Sequence, residues 1–216
     1  MWPPVSTTLT TILLIRHGQS EGNAAGMFGG HTPTPLSEQG KQQAQVTAEA
    51  LSTQRITAIY SSDLLRAIQT AEPLSQLTGL AVKKSSAFRE RSVGVLEGLK
   101  FEDAAARYGQ DYAALVRRDF EYTIEQGESY RQVLVRASQK LDGIIEEHRG
   151  GAVAIYSHTG TICILTLHLM GALDAAHLRQ VWVRTENCGI ARFAISSDNF
   201  VRVLEINDTR HLIRLQ

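Results

Sequence analysis

The chain has two cysteines in 216 residues, Cys163 and Cys188, too few and too isolated to form a disulfide framework or a metal-binding set. Both read as free buried thiols, which fits a reducing compartment. No apolar stretch is long enough to span a bilayer, and Met1 to Thr10 lacks the positive start and apolar core of a secretory leader. The expected location is therefore cytoplasmic, with residues 1–9, including Pro3 and Pro4, as a loose N-terminal extension. An excess of charge is missing too: 22 Lys and Arg balance 22 Asp and Glu, for a formal net charge of zero. Without that excess or a long basic run, neither nucleic acid nor an anionic membrane finds an electrostatic footprint. A small molecule is the expected partner. There is no internal repeat, no low-complexity tract and no cluster of metal ligands, since His168 and His177 sit in or near helical segments and read as ordinary histidines.

What is present points to an α/β fold. A 43% apolar composition over this length suits one domain with a sizeable core, residues 1–216. Strand-like runs at Thr11 to Ile15, Ile56 to Tyr60 and Ala152 to Tyr156 alternate with helical stretches. That alternation predicts a three-layer, mostly parallel central sheet with helices on both faces. Val181 to Thr185, Ile190 to Ile195 and Phe200 to Ile206 also alternate as strands do, predicting an antiparallel edge. Apolar residues return at helical spacing from Tyr130 through Val133, Leu134, Ala137, Leu141, Ile144 and Ile145, a stripe that belongs to the core. His148-Arg149-Gly150-Gly151 then ends that helix. The helix after Ser37 lacks a capping box, because Gly40 stands where Glu or Gln is needed.

Four segments carry chemistry. Leu14-Ile15-Arg16-His17-Gly18-Gln19-Ser20-Glu21-Gly22-Asn23 places a nucleophile beside a fixed cation at the end of a buried strand, where α/β sheets bind ligands. Tyr60-Ser61-Ser62-Asp63-Leu64-Leu65-Arg66-Ala67-Ile68-Gln69-Thr70-Ala71 passes from strand to helix. Asp63 reads as its N-cap and Arg66 falls in the first turn, where a guanidinium can grip two phosphate oxygens. Gly151 to Gly160 is a short strand ending in Ser157-His158-Thr159, so His158 leaves the sheet at the same edge as His17. Phe88-Arg89-Glu90-Arg91-Ser92-Val93-Gly94-Val95-Leu96-Glu97-Gly98 has no regular periodicity and reads as a loop near the site.

In this order, and over nearly the whole chain, the four segments resemble the histidine phosphatase superfamily, which includes the cofactor-dependent phosphoglycerate mutases. The resemblance implies that His17 attacks phosphorus to give a phosphohistidine. It also implies that Arg16, Asn23, Arg66 and His158 line the phosphate pocket, with Arg16, Arg66 and His158 supplying positive field. Glu90 then serves as the acid that protonates the leaving oxygen, with Glu97 as the competing carboxylate, and Arg91 beside it opposes that role if it points inward. No metal and no cofactor are needed for this chemistry.

Within the superfamily two branches compete. Glu90-Arg91, Gly94, Tyr108-Gly109 and Arg117-Arg118 look like the substrate region of the mutases, where an arginine pair helps hold a carboxylate. Gly127-Glu128-Ser129-Tyr130, however, follows Arg118 without the long insertion that mutases carry, and that compactness resembles the phosphatase branch. The expectation is a metal-independent phosphatase acting on a small phosphorylated metabolite, with mutase as the alternative and a non-catalytic phosphopeptide-binding scaffold as a third. Residues 99–128, with Tyr108, Tyr112, Arg117 and Arg118, read as a lid-like insert. Whether Arg91, Arg117 and Arg118 face the pocket, and whether the chain forms a homodimer, stay open.

Overall fold

A computed structural model of the chain describes residues 8–173 and 181–215. His177 and most of the expected N-terminal extension lie outside the described residues. The elements, in order, are β1 (Leu9–Arg16), α1 (Glu21–Ala24), α2 (Glu38–Ser52), β2 (Ala58–Ser62), α3 (Leu65–Thr78), β3 (Val82–Ser85), α4 (Phe101–Arg107), α5 (Gly109–Val116), α6 (Tyr130–Glu147), β4 (Ala152–Ser157), α7 (Thr159–Leu169), β5 (Ile190–Ser196) and β6 (Val201–Asp208). The six strands form one sheet in the order β3-β2-β4-β1-β5-β6. β3, β2, β4 and β1 run parallel, and β5 and β6 pair antiparallel at one side.

Alternate residues of the central strands feed two cores. Ile12, Leu14, Val153 and Ile155 meet Leu141, Ile144, Ile162 and Leu165 of α6 and α7 on one face. Leu13, Ile15, Ala154 and Tyr156 meet Ala48, Leu51, Ala71 and Leu74 of α2 and α3 on the other. Burial on both faces is why β1 reads as a continuous apolar run rather than an alternating one. Each such Leu or Ile contributes about 1.5–3 kcal/mol relative to exposure. A third cluster, Val93, Leu96, Ala104, Leu115 and Ile124, ties the 86–98 segment to the insert that holds α4 and α5, and Tyr108 and Tyr112 pack against it.

Three expectations need correction, and one strand was not expected. Val181 to Thr185 is not a strand and pairs with neither outer edge of the sheet, β3 or β6. The backbone there serves other groups instead, with Val183 N–H on Cys163 Sγ and Thr185 C=O on Arg16. Leu9, assigned to the loose extension, already belongs to β1 and pairs with Ser196. Asp63 does not cap α3; Leu64 occupies the N-cap without a side-chain bond, while the Asp63 carboxylate takes both Nε and Nη2 of Arg89 at 2.7 Å. That bidentate guanidinium holds Asp63 below the usual carboxylate range. The strand that was not expected is β3: Val82-Lys83-Lys84-Ser85 is an outer strand with too few apolar residues to announce itself.

Candidate active site

β1 and β4 are parallel neighbours in a register that pairs Arg16 with Ser157. Arg16-His17 and Ser157-His158 therefore leave the sheet side by side, and the next strand outward, β2, leads into α3 and Arg66. Three strand ends thus converge on one crevice. The turn after β1 is packed backbone to backbone against the start of α2. A Cβ on Gly18 would lie 2.6 Å from the Gly40 carbonyl oxygen, and one on Gly40 would lie 2.9 Å from Gln19 C and 3.0 Å from Gln19 N. This contact is the physical reason α2 has Gly40 in place of a capping-box Glu or Gln; Ser37 alone caps it, accepting from Gly40 N–H.

His17 is buried, with its ring orientation fixed. Nδ1 lies 2.7 Å from the Gly18 carbonyl; a carbonyl oxygen only accepts, so Nδ1 carries the proton and Nε2 the lone pair. Arg66 Nε donates to that Nε2 at 3.3 Å. Burial first, then the charges of Arg66 and Arg16, pushes the His17 imidazole well below 6.5, so it is neutral near pH 7. Arg66 is 3% exposed, its Nη2 on Gly30 C=O at 2.8 Å and its Nη1 on Thr32 C=O at 3.0 Å. Burial lowers its pKa to about 10, which leaves it cationic. The residues after Arg66 brace the turns around it. Gln69 Oε1 accepts from Leu36 N–H, and Thr70 Oγ1 accepts from Gly18 N–H at 3.0 Å.

Arg16 donates from Nη1 to Thr185 C=O, and its Nε has no partner. Asn23 completes a capping box with Ser20 at the start of α1. Its Oδ1 accepts from Ser20 N–H and Asn187 Nδ2, leaving its own amide hydrogens for a ligand. Arg16, His17, Asn23, Arg66 and Glu90 line a single cavity of about 230 Å³. Each oxygen of the Glu90 carboxylate accepts one backbone N–H, Arg91 N at 2.9 Å and Gly160 N at 3.0 Å. Glu97 is occupied elsewhere, accepting from His31 N, Ser92 Oγ and Val93 N within the loop.

Two expected contributors differ. His158 sits directly behind His17, ring centroids 5.1 Å apart, and is fully buried rather than on the cavity wall. Its Nε2 lies 2.8 Å from Ser62 Oγ and its Nδ1 has no partner. Burial, then Arg66, His17 and Arg16, keeps it well below 6.5. His158 is therefore a neutral imidazole near pH 7, not a standing positive charge. Arg117 is exposed and absent from the cavity wall. Arg118 is on that wall, stacked 4.4 Å from the Trp182 ring, with Nη1 3.5 Å from Tyr130 OH. Arg91 also reaches the wall, but its guanidinium is turned to Glu128 C=O (2.6 Å) and Tyr122 C=O (2.9 Å) and lies 4.3 Å over the Tyr130 ring.

Sequence reading missed several groups here. Asn187 holds the His17 carbonyl at 3.0 Å, and its only signal is its place in a polar turn just before a strand that pairs with β1. Trp182 fell inside the mistaken strand. Arg136 and His31 touch the backbone of Glu90, and nothing in their local sequence distinguishes them from surface residues.

A model of the histidine phosphatase superfamily (branch 1) matches residues 12–209. A metal-independent phosphoserine phosphatase of Arabidopsis thaliana is 32% identical over 196 residues, covering 89% of this chain and 82% of the relative. Phosphoglycerate mutase-like protein 4 of the same plant is 34% identical over 154 residues, 70% of this chain and 67% of the relative. Among solved structures, a mycobacterial glucosyl-3-phosphoglycerate phosphatase in complex with VO3 superimposes with a TM-score of 0.83 at 28% identity, covering 92% of this chain and 99% of its own.

Proposed function

This chain belongs to the histidine phosphatase superfamily, and from that premise we propose that it hydrolyses a small phosphate monoester, without a metal ion, through a phosphohistidine on His17. The observation that supports the reading is the Nδ1–H to Gly18 carbonyl bond, which puts the lone pair on a buried, neutral Nε2, where Arg66 Nε donates to it until a phosphoryl group takes its place. In the first step Nε2 forms a bond to phosphorus while the bond to the ester oxygen breaks, and Glu90 gives that oxygen a proton. Arg16 and Arg66 hold the phosphoryl oxygens, and the Gly18 carbonyl steadies the imidazole as it becomes cationic. In the second step Glu90 takes a proton from water, the water oxygen bonds to phosphorus, and the P–N electrons return to Nε2. Fixed guanidiniums do here what a divalent ion does in other phosphoryl transferases.

A cavity of about 230 Å³ lies below the usual range of roughly 300–1,000 Å³ for ligand pockets, which favours a small metabolite. On the wall, no carboxylate among the described residues pairs with Arg118. Its planar cation suits a second anion on the substrate, a carboxylate or another phosphate. A doubly anionic ester is therefore the preferred substrate class, and hydrolysis is favoured over mutase action because the insert between Leu99 and Glu128 is short. Phosphate release from a panel of metabolite phosphates, run beside a phosphoglycerate assay primed with bisphosphoglycerate, tests both points. Release from a carboxylate-bearing ester, with Arg118→Ala raising KM for that ester and sparing an aryl phosphate, is the expected result. Phosphoryl transfer between phosphoglycerates that outruns release would favour the mutase instead.

A further inference from the structure

Proton transfer needs a carboxyl held to within a fraction of an ångström, yet Glu90 sits in an irregular segment whose only regular pieces are 3-10 turns at Ser86–Phe88 and Gly94–Leu96. Such a backbone has no ladder or helix to fix it, so other groups must. The Glu90 carbonyl accepts two donors, Arg136 Nη2 at 2.9 Å and His31 Nε2 at 2.8 Å. Arg136 comes from α6. It pairs with both oxygens of Glu128 at 2.9 Å and also binds the carbonyls of Ala87 and Arg89. One side of the segment is thereby anchored to a long helix.

The Gly160 N–H and Thr161 hydroxyl of α7 hold the Glu90 carboxylate and the Arg89 carbonyl, and His31 reaches the Glu90 backbone from the other side. The carbonyls on either side of it, Gly30 and Thr32, are the two that Arg66 grips, and its own N–H is held by Glu97. The loop that wraps the phosphate-facing guanidinium thus reaches the carbonyl of Glu90 through one side chain. Since that carbonyl can only accept, His31 presents Nε2–H; the nearest carboxylate, Glu128 Oε2, is 3.9 Å away, too far to compete.

We propose that His31 is a positioning residue for the proton-transfer step: it registers the Glu90 carboxyl against the phosphoryl group by joining the Arg66 loop to the Glu90 backbone. This rests on the reading of Glu90 as the acid. It implies that His31 matters in proportion to the proton help a leaving group needs. An alkyl phosphate leaves as a poor alkoxide and needs that help; p-nitrophenyl phosphate does not.

The experiment measures kcat and KM for both esters in wild type, His31→Ala, His31→Gln, Glu90→Gln and the double variant His31→Ala, Glu90→Gln. His31→Ala should lower kcat on the alkyl ester about ten- to a hundredfold, the scale expected for an ångström-sized misplacement. The loss on the aryl ester should be several times smaller, with both KM values held. Gln keeps an N–H at similar reach, so His31→Gln should recover most of the loss. In the Glu90→Gln background, His31→Ala should add nothing on the alkyl ester, because a residue acting only through Glu90 has nothing left to position. Equal losses on both esters, losses that add to those of Glu90→Gln, or a fall in Tm that accounts for the loss would each overturn the positioning role. Glu90→Gln slowing both esters alike would instead overturn the acid reading itself, without any His31 variant being needed to see it.

Discussion

Gly40→Ala lies outside the cavity and, by helix propensity alone, should stabilise the protein. Gly40 is in the first turn of α2, and replacing a helical glycine by alanine gains up to about 1 kcal/mol. The surroundings reverse the sign. The new Cβ would overlap the Gln19 carbonyl oxygen and sit 2.9 Å from Gln19 C and 3.0 Å from Gln19 N, against an ordinary carbon contact of roughly 3.5–4.0 Å. The atoms in the way are backbone, so no side chain can swing aside, and the turn carrying His17 must move by about 1 Å or more. Overpacking of this kind costs about 1–3 kcal/mol. After the propensity gain, a net destabilisation of up to about 2 kcal/mol remains, a drop in Tm of up to about 8 °C for a chain of this size. The larger effect is on catalysis, since Gln19 is two residues from His17, the proposed nucleophile: turnover should fall about a hundredfold. Thermal melts and steady-state kinetics on the same preparation read both quantities. A Gly40→Ala protein that melts higher and turns over normally would refute the claim that α2 and the His17 turn are in backbone contact.

Two imidazoles buried neutral make a further prediction for pH. Both His17 and His158 lie well below 6.5 in the folded protein, so on acidification the unfolded chain takes up protons that the folded one refuses. Stability therefore falls as pH drops below the unfolded value, by about 1.4 kcal/mol per imidazole between about pH 7.5 and 5.5. Melts across that window should show a Tm that declines with acid, and a smaller decline in His158→Gln; an unchanged slope in the variant counts against a neutral buried His158. Exhaustive chelation should leave phosphate release intact, because Arg16 and Arg66 supply the cations; strict dependence on a re-added divalent ion contradicts that.

Much of this architecture was legible because it follows from local rules. The apolar runs of β1, β2 and β4 announce strands buried on both faces, and the stripe from Tyr130 to Ile145 matches α6, whose buried residues all belong to the stripe, with Leu134 of the stripe only half-buried. The co-location of His17, His158 and Arg66 follows from where each segment leaves the sheet, whereas that of Glu90 came only from the family resemblance, because β3 before it was not legible. What escaped depends on contacts between distant parts of the chain. Val181 to Thr185 alternates like a strand, but its backbone is taken up by Cys163 and Arg16 instead of a sheet partner. Asp63 stands where an N-cap should, yet the Arg89 guanidinium outcompetes the helix for its carboxylate. Arg117 and Arg118 are indistinguishable in sequence; only the second meets Trp182, after the chain turns through a positive φ of 58° at Arg118 itself. His31 and Arg136 are 59 and 46 positions from the carbonyl they share, a separation no local pattern reports.

The proposed mechanism requires that His17 Nε2 become covalently phosphorylated during turnover. Mixing wild type with a labelled phosphate ester, quenching within one turnover and mapping the label should find phosphate on His17 in an acid-labile, base-stable linkage, and His17→Ala should fold normally yet trap none. Label recovered on a serine or a carboxylate, or full turnover with no labelled enzyme at any quench time, would contradict the account.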